Sequence, residues 1–239
     1  GGATPSGAYL GDVNVIGPQI VDWLALDRIY NPQGFGIDDG ATIGNTTWGF
    51  NSTWTDSVAP PVSNTLNDAF SLISSLLDTN TICIVDGGGI DTLDMSGFSN
   101  NSIIDLRENS AFSTTVYFSS VAGLNGNLST AVGTVIENAI GGAAGETIYG
   151  NSAANNLQGG GGNDWIDGGS GVDSIYGGDG NDTLYPSSIG PSVGEIFDGG
   201  AGIDLLEFSG YSNNYLVDLA AGVYEVIGGS FTSAVTGIE

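Results

Sequence analysis

The 239-residue sequence contains no histidine and no lysine, only two arginines (Arg28 and Arg107), and a single cysteine, Cys83. Without histidine there is no imidazole general base, no Ser-His-Asp triad and no HExxH zinc motif. Two cations against 27 acids give a formal charge of −25, which leaves no surface for nucleic acid or for an anionic membrane. One cysteine permits no internal disulfide and no CxxC zinc knuckle or redox pair. No apolar run approaches the roughly 18 residues of a membrane helix, so no membrane insertion is expected.

Glycine is present in excess. There are 41, roughly one residue in six, where ordinary usage is about 7%. They crowd into residues 141–207, which hold 19 of them. The hydrophobic content of 40% still allows a packed core, so this is no disordered acidic chain. Composition divides the chain into 1–52, 53–140, 141–207 and 208–239: a segment with helical cues, a β-rich region with an inserted helix, a Gly/Asp repeat, and a second β unit.

The hexapeptide GGxGxD occurs intact at Gly159–Asp164, Gly168–Asp173, Gly177–Asp182 and Gly199–Asp204. An apolar residue follows two positions after each Asp: Ile166, Ile175, Leu184 and Leu206. Three degenerate copies, 141–149, 150–158 and 190–198, complete seven nonapeptides, interrupted only by 186–189. A flexible linker has no reason to place an aliphatic side chain at that fixed distance. Each nonapeptide reads as a glycine turn with φ values that a Cβ forbids, followed by a very short strand with one inward side chain.

Two nonapeptides make an 18-residue coil, so alternate acids stack. Glu146, Asp164, Asp182 and Asp204 fall on one edge, and Asn155, Asp173 and Glu195 on the other. Carboxylates stacked at about 4.8 Å repel, and a hard cation between them relieves the repulsion. Carboxylate and backbone carbonyl oxygens suit Ca²⁺. The pattern resembles the calcium-binding RTX nonapeptide of parallel β-rolls. Candidate carboxylate ligands are Glu146, Asp164, Asp173, Asp182 and Asp204. Candidate carbonyl ligands in the turns are Gly142 and Ala144, Gly159 and Gly161, Gly168 and Ser170, Gly177 and Asp179, and Gly199. Asn155 is neutral, so its site is expected to be weaker.

A longer repeat overlies the short one. GGGIDTLDMSGFSNNSIIDL (87–106) returns as GAGIDLLEFSGYSNNYLVDL (200–219), and VIENAIGG (135–142) has a partial echo in TGIE (236–239). This duplication predicts a chain that is part of a larger repeating protein. Near the start, IVDWLALDRIY (20–30) has helical apolar spacing and is stopped by NPQG. NTLNDAFSLISSLL (64–77) reads as a second helix with Asn64 as its cap.

VDWLALDRIYNPQ, GNTTWGFNS (44–52), DGGGIDTLDMSGFSNN, TVIENAIGG and the nonapeptides together resemble the C-terminal part of serralysin-type metallopeptidases. The resemblance runs from about residue 12 to 185. It implies further calcium ligands: carbonyls of Thr42, Gly44 and Thr46; Asp86, Gly88, Gly89 and Asp91 before the roll; and Val135 and Glu137, joining the turn of Glu146. The sequence departs from the family at Asn45, where an Asp is usual, and at Glu146, which replaces an Asp. The HExxHxxGxxH motif is absent.

The expectation is an all-β chain: a calcium-binding parallel β-roll with a flanking β-sandwich and a small helical N-terminal segment. By the resemblance it is the non-catalytic C-terminal module of a secreted, extracellular zinc metallopeptidase. It binds several Ca²⁺, supports type I secretion, and folds on meeting calcium outside the cell. Zn²⁺ is expected only in an upstream protease domain, and this chain alone is expected to have no peptidase activity. The alternative is an extracellular adhesive or S-layer-like RTX protein that self-assembles. An enzyme complete within these residues, built on a carboxylate pair, is the weakest reading, because the repeat accounts for most of the acids.

Overall fold

The computed structural model describes residues 14–16, 45, 47–50, 80–84, 86–110, 115–186, 194–207, 215–218, 223–226 and 232–238. The two helices expected at 20–30 and 64–77 lie outside the described residues. Within them the regular structure is all strand.

Before the nonapeptides come β1 (Asn14–Ile16), β2 (Thr47–Gly49), β3 (Asn80–Ile84), β4 (Thr92–Asp94), β5 (Ile103–Asp105), β6 (Leu128–Thr130) and β7 (Asn138–Ile140). The repeats supply β8 (Thr147–Tyr149), β9 (Asn156–Gly161), β10 (Trp165–Asp167), β11 (Ser174–Asp179), β12 (Thr183–Tyr185), β13 (Ile196–Ala201) and β14 (Leu205–Leu206). Beyond them lie β15 (Tyr215–Asp218), β16 (Val223–Val226) and β17 (Thr232–Thr236).

Successive strands of the repeat alternate between two parallel sheets, the arrangement of a β-roll. One sheet has the order β14-β12-β10-β8-β5, and the other β15-β16-β17-β13-β11-β9-β7-β4-β2. The strands before the repeat are not a separate sandwich. β5 pairs β8 in parallel, and β2, β4 and β7 continue the larger sheet in parallel. Only β1, β3 and β6 stand apart, as a third parallel sheet. Antiparallel pairing enters among the sheet strands with β15-β16-β17, and β17 itself lies parallel to β13.

The register explains why one apolar residue per repeat suffices. In the smaller sheet Ile104, Ile148, Ile166, Leu184 and Leu206 are in line. In the larger sheet Trp48, Leu93, Ala139, Leu157, Ile175 and Phe197 are in line. Both rows are buried and belong to one core cluster. Each large aliphatic side chain so buried contributes about 1.5–3 kcal/mol. The neighbours of each central residue face outward, giving Tyr149, Trp165 and Tyr185 a row of ring contacts at 5.1 and 4.8 Å.

Between most successive strands of the repeat only three or six residues reverse the chain, and glycine makes that possible. Gly180 has φ +140°, and a Cβ there would run into the carbonyl oxygen of Gly162 one coil earlier. Backbone stacks on backbone in these turns, which leaves no volume for side chains.

Candidate metal centre: the two turn ladders

The sixth residue of each nonapeptide sits where a turn meets a strand. The amide of the following residue donates to the carbonyl of the sixth residue one coil back. On one edge Thr147, Trp165, Thr183 and Leu205 donate to Ser102, Glu146, Asp164 and Asp182, at 2.8–2.9 Å. On the other edge Asn138, Asn156, Ser174 and Ile196 donate to Asp91, Glu137, Asn155 and Asp173, at 2.8–3.3 Å. Two ladders result: Ser102–Glu146–Asp164–Asp182–Asp204, and Asp91–Glu137–Asn155–Asp173–Glu195. The stacking expected of the tandem acids is present.

Glu137 lies elsewhere than the resemblance implies. It does not join the turn of Glu146. It precedes a strand of the larger sheet, as Asn155 does, whereas Glu146 precedes a strand of the smaller one. Its Oε2 accepts from the amide of Asp91 at 2.7 Å, and its carbonyl accepts from Nδ2 of Asn155 at 2.8 Å. Val135, two residues before it, is half-buried.

The acids repeat one hydrogen-bond pattern. Oδ1 of Asp164, Asp182 and Asp204 accepts from the backbone N–H of Glu146, Asp164 and Asp182, at 2.6, 2.8 and 2.8 Å. On the other edge Oδ1 of Asp173 accepts from the N–H of Asn155 at 2.9 Å. The second oxygen of each has no such partner. Oδ2 of Asp164, Asp173, Asp182 and Asp204, and both carboxylate oxygens of Glu146, are buried without a hydrogen bond. Leaving a buried polar group unsatisfied costs about 1–3 kcal/mol, and more for a charge. Each Oδ2 packs against the Cα of the first glycine of its own motif, at Gly159, Gly168, Gly177 and Gly199, in space that a Cβ would fill.

Burial makes these groups poor anions. Desolvation, with the Asp164 charge second, pushes the Glu146 carboxyl up to about 8. Desolvation pushes Asp164 and Asp173 up to about 7 and raises Asp182 as well. A cation facing Oδ2 would reverse the balance, because the opposite charge restores what burial takes away. The donor set is hard oxygen throughout, which fits Ca²⁺ and does not fit a thiolate- or imidazole-seeking metal. Among the described residues no three Asp, Glu, His or Cys side chains converge on one point. Each turn brings one or two carboxylates, so backbone carbonyls would have to complete a coordination shell.

The other expected ligands fall into three groups. Thr42, Gly44 and Thr46 lie outside the described residues. Gly142, Ala144, Gly159, Gly161, Gly168, Ser170, Gly177, Asp179 and Gly199 line the turns, where the carbonyls of Gly142 and Asp179 already accept from the amides of Gly161 and Gly162, at 2.9 and 2.7 Å. Asp86, Gly88, Gly89 and Asp91 form the loop before β4. There Asp86 accepts from the Trp48 indole N–H at 2.8 Å and from the Gly88 amide at 3.1 Å, and Asn45 Oδ1 accepts from the Ile90 amide at 2.9 Å.

Several residues that the sequence did not single out shape these turns. Oδ1 of Asn163 accepts from the Asn181 amide, and Oδ1 of Asn181 from the Ile203 amide, both at 2.9 Å, tying coil to coil outside the acid ladder. Their signal was the Asn at position five of two intact motifs. Asn151 had no signal beyond a broken glycine pattern. Cys83 is half-buried on β3, and burial pushes its thiol up to about 11, so it is no reactive nucleophile.

A roll of nonapeptide coils, with buried carboxylates at every intact turn, defines a repeat-built β-roll. Comparison with known proteins places it. Residues 41–193 match the family described as the Peptidase M10 serralysin C terminal. The chain is 42% identical over 132 residues to metallopeptidase AprA of Pseudomonas marginalis, covering 55% of this chain and 23% of that protein. It is 39% identical over 147 residues to serralysin C of Dickeya chrysanthemi (62% and 25%), and 37% identical over 132 residues to serralysin B of the same organism (55% and 22%). The chain therefore belongs to the serralysin C-terminal family, and its match spans about a quarter of the length of these relatives.

Proposed function

We propose that this chain is the non-catalytic calcium-binding module of a secreted serralysin-like zinc metallopeptidase. The observation that carries the reading is the pair of ladders. A fold that buries at least five carboxyl groups without hydrogen bonds to spare is costly at neutral pH unless a cation shares their oxygens. Glu146, Asp164 and Asp182 would hold calcium on one edge, and Asp173 on the other, through the carboxylate oxygens that have no hydrogen bond. When bound, the ion supplies positive charge that cancels the repulsion along the ladder.

The rest is what the resemblance to serralysins implies. In the low-calcium interior of a cell the acids repel and the roll stays open, a form suited to export by a type I system. Outside, binding free energy becomes folding free energy. The folded roll then serves as a stabilising platform for a protease domain that would carry the zinc. Circular dichroism of this chain in EDTA and then in millimolar Ca²⁺ tests the reading. A large gain of β signal on adding calcium is expected, and identical spectra would refute it.

A further inference from the structure

One rung within the nonapeptide repeat contains no acid. Between Glu137 and Asp173 stands Asn155, and four residues before it Asn151; they are 3% and 4% exposed. All four amide N–H bonds of the pair are used, and each amide oxygen accepts at least once. Asn155 Oδ1 accepts from the Asn151 backbone N–H at 2.9 Å, and its Nδ2 donates to the Glu137 carbonyl at 2.8 Å and to Asn151 Oδ1 at 3.0 Å. Asn151 Nδ2 donates to the carbonyls of Leu106 at 3.1 Å and Ile136 at 2.7 Å, and its Oδ1 also accepts from the Ala153 amide at 2.9 Å.

The carbonyl partners fix the orientation of both amides. A flipped Asn151 or Asn155 would set its oxygen against another oxygen. The backbone differs as well. Intact turns place their second and fourth residues in the left-handed region, as at Gly169 (φ +84°) and Gly171 (φ +131°) one coil on. Asn151 and Ala153, at the same two places, are not left-handed, nor are Gly142 and Ala144 in the Glu146 turn. Asn155 Oδ1 sits beside Gly150 as each Oδ2 sits beside the first glycine of its motif, but this oxygen is uncharged and already accepts from the Asn151 N–H.

We infer that the turn at 150–155 is a cation-free clasp in which two asparagine amides do the work that an ion does in the intact turns. The clasp joins the segments ending β5 (Leu106) and leading into β7 (Ile136 and Glu137) to the first coil of the repeat. It leaves that coil assembled when calcium is absent, as a template on which the calcium-dependent coils wind. This rests on the calcium reading above only for the behaviour of the later coils; the clasp itself needs no ion.

Residue-resolved amide hydrogen exchange on the full chain tests it. In EDTA the amides of Asn151, Ala153 and Asn156 should exchange at least about tenfold more slowly than in the unfolded chain. The amides of Asp164 and Asp182, which bond to acids of the next rung, should exchange freely until calcium is added. Unprotected Asn151, Ala153 and Asn156 amides in EDTA would overturn the clasp. Protection of all five amides in EDTA would support the clasp while overturning calcium-triggered folding, so the two failures are distinct. Asn155→Asp replaces two donors by an acceptor facing the Glu137 carbonyl. It should abolish the EDTA protection at Asn151 and Ala153 while leaving Asp164 and Asp182 protected in calcium. Unchanged protection at Asn151 and Ala153 in that variant would also overturn the proposal, and if the variant fails to fold, the wild-type exchange decides alone.

Discussion

Protons should be able to replace calcium. Glu146, Asp164 and Asp173 titrate near 4 in an unfolded chain but at about 8, 7 and 7 in the roll. Between those values the folded chain holds more protons than the unfolded one, so its stability falls as pH rises. The stabilising contribution is fully present below about pH 4 and is gone by about pH 8. Each pH unit between the two pKa values is worth about 1.4 kcal/mol per group, so holding these three acids ionised costs about 14 kcal/mol. A whole domain is stable by only about 5–15 kcal/mol. Without calcium at pH 8 the acids therefore cost about as much as a whole fold supplies. Three ions, each a hundredfold above its dissociation constant, return about 8 kcal/mol, enough to decide the outcome.

The perturbation is a titration in EDTA from pH 8 to 5.5, which stops short of the sequence pI of about 4.1 to avoid precipitation. Far-ultraviolet circular dichroism should show β signal returning as the pH falls, toward the level that calcium gives at pH 8. Asp164→Asn should flatten this dependence, because the amide carries no charge to neutralise. Calcium binding near pH 7.5 should release protons, measured as a heat that changes with buffer ionisation enthalpy. A chelated chain with the same spectrum at pH 5.5 and pH 8, together with no proton release on binding, would refute the argument that buried carboxylates oppose folding.

Other expectations follow from single positions. Asp164→Ala should weaken calcium affinity more than Asn155→Ala by calorimetric titration, since it removes a charged oxygen from an intact turn; the reverse order would contradict the ladder assignment. Ile166→Ala empties the middle of the smaller sheet's buried row and should cost about 2–5 kcal/mol, read as a rise in the calcium concentration at the folding midpoint. Gly180→Ala should be worse than Gly88→Ala in thermal melts with saturating calcium. Both positions are left-handed (φ +140° and +127°), but only at Gly180 would the new Cβ meet backbone from another coil.

The repeat could be read because its two signals are local: an acid at position six, and one aliphatic residue two places on. Those fix the coil length, and the coil length fixes which acids share an edge. What lay outside the tandem copies could not be read in the same way. Glu137 is placed by the strand it precedes, and nothing in VIENAIGG states which sheet that strand joins. The role of Asn151 depends on carbonyls 45 and 15 residues away, so its sequence showed only a lost glycine.

The long duplication makes the limit plain. Thr92–Asp94 in the first copy corresponds to Leu205–Glu207 in the second, yet β4 lies in the larger sheet and β14 in the smaller. Ile103–Asp105 corresponds to Leu216–Asp218, yet β5 pairs in parallel with β8 and β15 in antiparallel with β16. The shared pattern specifies a short strand, and both copies form one. Which sheet receives the strand depends on how many half-coils precede it, and which direction it runs depends on the partner it meets. In a roll built from half-coils, sequence similarity therefore transfers the strand but not its neighbour, and a ligand assigned by similarity holds only where the count of half-coils also matches. Glu137 falls outside the turn that similarity gave it, whereas Asp164, Asp173, Asp182 and Asp204 stack as their repeat spacing predicts, because the tandem copies around them carry the count with them.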